Sequence, residues 1–356
     1  MRQLCAAAGD KASLAIGMAG LVMDQAMQGR VREASQLAWE AWALAESIDE
    51  PSLTVGLSFP LLYAKTQNAE YSDALRLSQR VINLADGDPA KGNFIVGSPL
   101  AIALAARGTA RWALGRAGWR DDLRHSLAMA RSADPMSYAV GVTYVYFPGI
   151  VFGVLRPDDS AMREIEDAQR IAERSGDDFA VAFGRETLGV ALVHRPTAPE
   201  CDRGQRLLAE VSEVFLRWGH YLCELPIVHV YLARERARRG DRDNAIPVMR
   251  AAADDLVRRG QLLQWGVSAT GVLVETLLDR GAESDVAEAE AAIERLATAP
   301  ADEGLPIRDV MLLRLRALLA RAHGDAAAYA HFRDRYRDMA TSLGFEGQME
   351  WAEAMP

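Results

Sequence analysis

The side chains that could support catalysis lie in patterns that match no catalytic motif. The sequence has no GxxxxGK[ST] phosphate-binding loop, no GxSxG, HExxH or GxGxxG pattern, and no cysteine and histidine spacing that suits a metal. Pairs of adjacent aspartates resemble half of a diphosphate-binding DDxxD motif, but each lacks the third aspartate, so we interpret them as helix caps or solvated residues. These pairs are Asp121 with Asp122, Asp158 with Asp159, Asp177 with Asp178 and Asp254 with Asp255. The sequence therefore predicts a protein that is not an enzyme and holds neither cofactor nor metal.

One short segment concentrates possible metal ligands. His220 and Cys223 are three residues apart and would share a helix face, and His229 follows them. A metal site would need a second pair of ligands, and the sequence offers none, so a structural role is favoured. His194 and His323 fall at predicted helix ends, where a cation suits the helix dipole.

A second kind of chemistry, recognition, is open to polar and aromatic side chains on helices that are otherwise apolar. Arginines in a groove can grip a carboxylate or a phosphate through two hydrogen bonds. The alternative is that they pair with acidic residues of neighbouring helices. The candidate groove residues are Arg107, Arg111, Tyr138, Tyr144, Arg185, Glu186, Glu224, His229 and Tyr231. Trp112 and Trp119 flank a turn and are better explained by packing between repeats.

The composition limits the classes of partner that the chain is expected to bind. The chain has 356 residues and a formal charge of −9, and only Lys11, Lys65 and Lys91 are lysines among its 40 basic residues. An acidic chain with scattered arginines argues against nucleic acid. Its three cysteines (Cys5, Cys201 and Cys223) are too few for a disulfide scaffold. With no apolar run of membrane-spanning length, we expect a cytoplasmic protein with no membrane partner.

The elements that must position these side chains repeat along the chain. Apolar segments end at a Gly or Asp break and are followed by amphipathic segments with a helical period. We expect these second helices to begin near Arg30, Glu70, Gly118, Asp158, Glu200, Asp241, Ser284 and Asp325. From Gly118 onward the spacing is about 41 residues, which suits a unit of two helices and two short turns.

Alternating buried and half-exposed helices at a fixed period predict an all-α fold, a right-handed α-solenoid of about eight stacked helical hairpins. Residues 1–88 would form N-terminal hairpins and 89–99 a loop and possible boundary. Residues 100–343 would form the regular array and 344–356 a C-terminal tail. In such arrays the first helices line the inner groove.

The units partly match tetratricopeptide repeats (TPR). A Gly ends the first helix and an Ala follows five residues later at Gly29 with Ala34 and at Gly240 with Ala245. The signature tryptophan is missing and the period exceeds the 34 residues of that family. The repeat is therefore TPR-like, with longer helices.

Several stretches carry a closer resemblance: Arg107 to Gly115, Gly118 to Asp122, Ala130 to Pro135, Leu188 to Arg195, and Ser342 to Gly347. Together they resemble the C-terminal helical region of actinobacterial signalling proteins that join a class III adenylate/guanylate cyclase domain and an AAA-type NTPase to a repeat array. The resemblance implies an interaction or sensor module that binds a peptide, a protein or a signal and regulates a cyclase or NTPase. A ligand-sensing part of a transcriptional regulator and an unrecognised all-α enzyme are the alternatives.

Overall fold

The computed structural model describes residues 10–94, 97–301 and 304–356, and every regular element in these ranges is a helix. Cys5 lies outside them. The helices are α1 (Lys11–Met27), α2 (Val31–Glu46), α3 (Pro51–Gly56), α4 (Ser58–Gln67), α5 (Tyr71–Ala85), α6 (Pro99–Ala113), α7 (Trp119–Ala133), α8 (Pro135–Val151), α9 (Asp159–Ser175), α10 (Asp178–Val193), α11 (Ala198–Trp218), α12 (Leu225–Arg238), α13 (Arg242–Arg259), α14 (Trp265–Arg280), α15 (Asp285–Ala297), α16 (Pro306–Ala322), α17 (Ala326–Leu343) and α18 (Glu346–Glu353).

These helices pack in adjacent pairs and form eight stacked hairpins, with α18 after the last one. In the second hairpin the first helix is interrupted at Leu57, which separates α3 from α4. Each second helix begins within two residues of its predicted start. The predicted TPR-like α-solenoid is thus confirmed. The boundary at residues 89–99 and the other divisions stay predictions.

Local sequence explains where the helices begin and end. Asp158 accepts hydrogen bonds from the backbone N–H groups of Ser160 and Ala161, and Asp177 accepts one from Ala180, so both residues are helix caps. Gly240 ends a first helix with φ of 96°, in the left-handed region that favours glycine. One aspartate departs from the predicted role: Asp122 is 2% exposed and lies within an ion-pair network.

The array closes on itself, so that hairpins far apart in sequence touch. The Leu222 backbone N–H donates to the Met27 carbonyl oxygen at 2.7 Å, and Arg259 reaches the Gln28 carbonyl oxygen at 3.3 Å. At the other end, Gln348 in α18 donates to the Phe152 carbonyl oxygen at 2.8 Å. The first helices are consequently enclosed and buried nearly all round. In the part of the chain that the structure describes, no helix combines the length and apolar character needed to cross a bilayer.

Candidate functional site

A cavity lies inside the closed array, walled by the first helices as the sequence predicts for an inner groove. Its walls come from α4, α6, α8 and α10 and from the starts of α12 and α14. Its atom-free space, part of which is open to solvent, is about 610 Å³. We call it the acidic cavity, lined by Phe59, Leu62, Tyr63, Thr66, Gln67, Ile102, Ala105, Ala106, Thr109, Thr143, Tyr144, Phe147, Pro148, Phe183, Glu224, Gln264 and Trp265.

Six of the residues that line it are aromatic. The Phe59 and Tyr144 ring centroids are 5.4 Å apart in an edge-to-face arrangement, and those of Phe147 and Trp265 are 5.2 Å apart. Trp265 also stacks on Phe152 at 5.7 Å, and its indole N–H donates to the Gln67 Oε1 atom at 2.9 Å. These contacts fix the rings, so the shape of the cavity is set before any ligand arrives.

Two glutamates are buried near each other, and one of them, Glu224, lines the cavity. Glu186 is on α10 with no exposed surface, and Glu224 precedes α12 at 3% exposure. The Glu224 Oε1 atom accepts hydrogen bonds from the Tyr63 hydroxyl and from Gln67, both at 3.0 Å. The two carboxyl groups lie close enough for each to affect the protonation of the other. Both Glu186 oxygens and the Glu224 Oε2 atom have no hydrogen-bond partner.

Burial governs the protonation of this pair. Loss of hydration raises the pKa of Glu224 to about 7, against the lowering effect of its hydrogen bonds from Tyr63 and Gln67. Burial, and then the negative charge of Glu224, hold the pKa of Glu186 well above its usual range. The pair therefore holds protons more tightly than exposed glutamates do.

Cys223 does not form the metal site that its spacing from His220 allows. Its Sγ atom lies 3.2 Å from the Tyr63 hydroxyl, and burial raises the pKa of the thiol well above its usual range. His220 instead interacts with the Trp218 carbonyl oxygen at 2.9 Å. Within the described ranges, no group of three His, Cys, Asp or Glu side chains is arranged to hold a metal ion.

Of the predicted groove residues, the structure brings Tyr144, Glu186 and Glu224 together. Arg107 and Arg111 lie elsewhere, where both grip Asp122: Arg107 through Nη2 at 2.6 Å and Arg111 through Nη1 at 2.7 Å. The alternative of pairing with an acidic residue therefore describes these two arginines, although their partner belongs to the same hairpin.

Three further groove residues lie outside the acidic cavity. Tyr138 accepts a hydrogen bond from Arg131 at 2.6 Å, with the guanidinium over its ring. Arg185 is 3.4 Å from Glu210, and the His229 ring lies 2.9 Å from the Ser212 hydroxyl. Each of the three has its partner on a helix that is adjacent in sequence.

Tyr231 contributes to a second interior cavity, which has about 1030 Å³ of atom-free space. We call it the arginine cavity, lined by Val151, His194, Tyr231, Arg234, Ala237, Arg238, Arg242, Ser268, Gly271, Val272, Glu275, Thr276, Asp279, Met311, Arg314 and Trp351. Arg234 donates to the Val193 carbonyl oxygen at 2.6 Å, and both Arg234 and Arg238 pair with Glu235. Burial, and then the charge of Arg234, lower the pKa of His194, so its ring is neutral.

Sequence reasoning missed the contribution of α4. Phe59, Tyr63 and Gln67 recur every four residues, which places them on one helix face directed at the cavity. That periodicity was available in the sequence. Trp265 gave no comparable signal, because it stands alone at the start of α14.

The fold and its enclosed first helices define a TPR-like helical repeat protein. No family model matches the sequence, and no curated protein matches it. Among solved structures, the array is similar to the crystal structure of a Rap protein complexed with Competence and Sporulation Factor, with 12% identity, 96% of each chain covered and a TM-score of 0.58. At this identity the likeness shows the fold alone, and the resemblance to cyclase-associated arrays stays a prediction.

Proposed function

We propose that the protein is a cytoplasmic, non-catalytic interaction module that binds a peptide or a segment of a protein partner inside its helical array. The observation that carries the proposal is the acidic cavity, whose walls come from six separate elements and include the buried Glu224, a carboxyl group with one oxygen atom that has no hydrogen-bond partner. Concave, mostly apolar sites with a few convergent polar groups are typical of ligand binding.

The comparison with known structures supports the same function. A Rap protein of similar fold was solved in complex with Competence and Sporulation Factor, so an array of this design can hold a partner. Nothing in the described cavities resembles a nucleophile activated by a base, since the Cys223 thiol has a raised pKa and Ser268 donates to the Val151 carbonyl oxygen.

The output of binding is proposed on the resemblance in sequence. A ligand inside the array contacts several hairpins at once and would change how they stack, and this flexing would regulate an associated cyclase or NTPase. The isolated chain should then hydrolyse no ATP above a buffer control. Measurable hydrolysis that co-purifies with the folded chain would contradict the non-catalytic assignment.

Binding is tested by equilibrating the full chain with a pool of synthetic peptides and identifying the retained peptides by mass spectrometry. Ala106→Phe fills the cavity and should abolish retention. Ala287→Phe makes the same change at an exposed position on α15 and serves as the matched control. Equal retention by both variants would place binding elsewhere and overturn the proposal.

A further inference from the structure

We propose that the Glu186 and Glu224 pair receives a cationic group of the ligand, either a protonated amine or a guanidinium. This inference deepens the proposed function and rests on it for the kind of ligand. It concerns a subsite with its own chemistry, which can be probed with small molecules.

The groups around the two glutamates supply no positive charge. No residue lining the acidic cavity is basic within the part of the chain that the structure describes. The titratable groups that face the two carboxyls are Tyr63 from α4, Tyr144 from α8, and Tyr221 and Cys223 from the turn before α12. All four are neutral at physiological pH, because burial raises the pKa of each. A cation entering here meets attraction and no competing positive charge.

The oxygens of the pair lack the donors that buried carboxyls normally have. Nearly all buried polar atoms in proteins have a hydrogen-bond partner, so a buried oxygen atom without one indicates a missing donor. The Glu224 Oε2 atom and both Glu186 oxygens have none. An ammonium group has three N–H donors and a guanidinium has five, which is the complement these oxygens need.

Aromatic rings frame the same position. The Phe59, Tyr63 and Tyr144 rings meet with centroid distances of 5.4 to 6.4 Å. Faces of such rings attract cations, and the attraction is strongest where water is excluded. The walls thus suit a cation that is attached to an apolar chain.

The available space limits the size of the group. The centres of water-sized molecules can occupy about 60 Å³ of the cavity, which corresponds to a few waters. A slender aminoalkyl or guanidinoalkyl end of a side chain fits this space, whereas a bulky ring system does not. The geometry therefore points to a ligand with a lysine-like or arginine-like end.

Binding a cation moves a proton. Burial raises the pKa of both carboxyl groups, that of Glu224 to about 7, so the pair still holds a proton near neutrality. A bound cation favours the ionised carboxylates, so a proton held by the pair leaves to solvent as the ligand enters. Affinity for a cation that stays charged should consequently rise as the pH increases from 6 to 8.

The test measures n-butylammonium chloride against n-butanol, a neutral molecule of the same shape, by saturation-transfer NMR on the full chain. The wild type should bind the ammonium at least about tenfold more tightly, as expected for hydrogen bonds to a charged group, and the ratio should grow with pH. Equal binding of the two probes would overturn the inference.

Glu224→Gln removes the charge and keeps the oxygen that accepts from Tyr63 and Gln67. It should abolish the preference for the ammonium, while Glu210→Gln, the same change at an exposed position outside the cavity, should leave it unchanged. Glu186→Gln provides a second variant should the first fail to fold. Unaltered selectivity in both glutamine variants would assign the pair a purely structural role.

The peptide experiment separates this inference from the proposed function. A retained peptide is resynthesised with norleucine for lysine or citrulline for arginine. Loss of binding supports the cation site. Binding that survives both this change and Glu224→Gln overturns the cation site and leaves the proposed function in place. If no peptide is retained but butylammonium selectivity depends on Glu224, the proposed function fails and the cation site stands.

Discussion

The acidic cavity and the arginine cavity lie at successive levels along α8 and α14, and they treat buried charge in opposite ways. In the arginine cavity, charges of both signs meet: Glu235 pairs with Arg234 and Arg238, and Arg314 pairs with Glu275. In the acidic cavity, two carboxyl groups meet each other and no cation.

This difference separates charge that serves the fold from charge that is available to a ligand. Removing one partner of a buried ion pair destabilises the folded protein, because the other charge is left buried without a counterion. A buried acid without a counterion costs stability as soon as it ionises. Substitutions should therefore have opposite signs in the two cavities.

The largest effect is expected from breaking the aromatic wall of the acidic cavity. Trp265→Ala removes a ring that is 2% exposed, together with its contacts to Phe147 and Phe152 and its hydrogen bond to Gln67. The free energy of unfolding should fall by about 3–5 kcal/mol in urea titrations. Leu216→Ala, at an exposed apolar residue, is the control and should cost under about 0.5 kcal/mol. A loss below 1 kcal/mol for Trp265→Ala, on the order of an ordinary surface change, would contradict this role of the wall.

The next largest effect on stability is expected from breaking an ion pair beside the arginine cavity. Glu235→Gln leaves Arg234 and Arg238 without their carboxylate, and should lower the free energy of unfolding by about 2–3 kcal/mol, less than for a fully enclosed pair because Arg238 is half exposed. The measurement is chemical denaturation at pH 7. Glu210→Gln, which breaks the exposed pair with Arg185, should change it by less than about 0.5 kcal/mol. Equal effects would show that burial of the pair does not matter.

In the acidic cavity, removing the charge of Glu224 should raise the free energy of unfolding, by an amount that depends on pH. Since the pKa of Glu224 is raised to about 7 in the folded protein, the folded state holds its proton more tightly than the unfolded chain does. The stability linked to this group is complete below the unfolded pKa of about 4.3 and is lost as the pH rises through 7.

Glu224→Gln should therefore be more stable than the wild type at pH 8, by up to about 3 kcal/mol, and nearly equal to it at pH 4.5. Thermal unfolding at both pH values checks this. A variant that is less stable than the wild type at pH 8 would mean that the folded protein favours the ionised form of Glu224.

The smallest effect concerns a backbone carbonyl group of the arginine cavity, at the end of α8. The Tyr231 hydroxyl at 3.3 Å and the Ser268 hydroxyl at 2.8 Å both donate to the Val151 carbonyl oxygen. Tyr231→Phe or Ser268→Ala alone should cost under about 1 kcal/mol, because the other donor remains. The double variant should cost more than the sum of the two, as measured in a double-mutant cycle. Simple additivity would rule out a shared acceptor.

Sequence reasoning reached the architecture because its signals are local. Gly240, the cap at Asp158 and the helical period each depend on neighbours within a few positions. The cavities depend on contacts between distant hairpins. The Tyr63 hydroxyl meets Glu224 across 161 positions of sequence, and no periodicity encodes that meeting.

The same reason explains the groove residues. Tyr144, Glu186 and Glu224 were found from the rule that first helices face inward. Arg107 and Arg111 do not line the acidic cavity, because Asp122 on the second helix of their own hairpin supplies a buried counterion. Predicting that pairing requires the relative rotation of two helices, which the residue types alone do not contain.

Closure of the array has a consequence for how the chain folds and melts. In an open solenoid each repeat touches only its neighbours, so the ends can fray while the middle stays folded. Here Arg259 donates a hydrogen bond to the Gln28 carbonyl oxygen, 231 positions away in sequence. Trp119 likewise donates to the Leu343 carbonyl oxygen, 224 positions away. Such contacts form only after large loops have closed, which slows folding and couples both ends to the centre. The eight hairpins should therefore unfold in one cooperative transition, as a globular domain does.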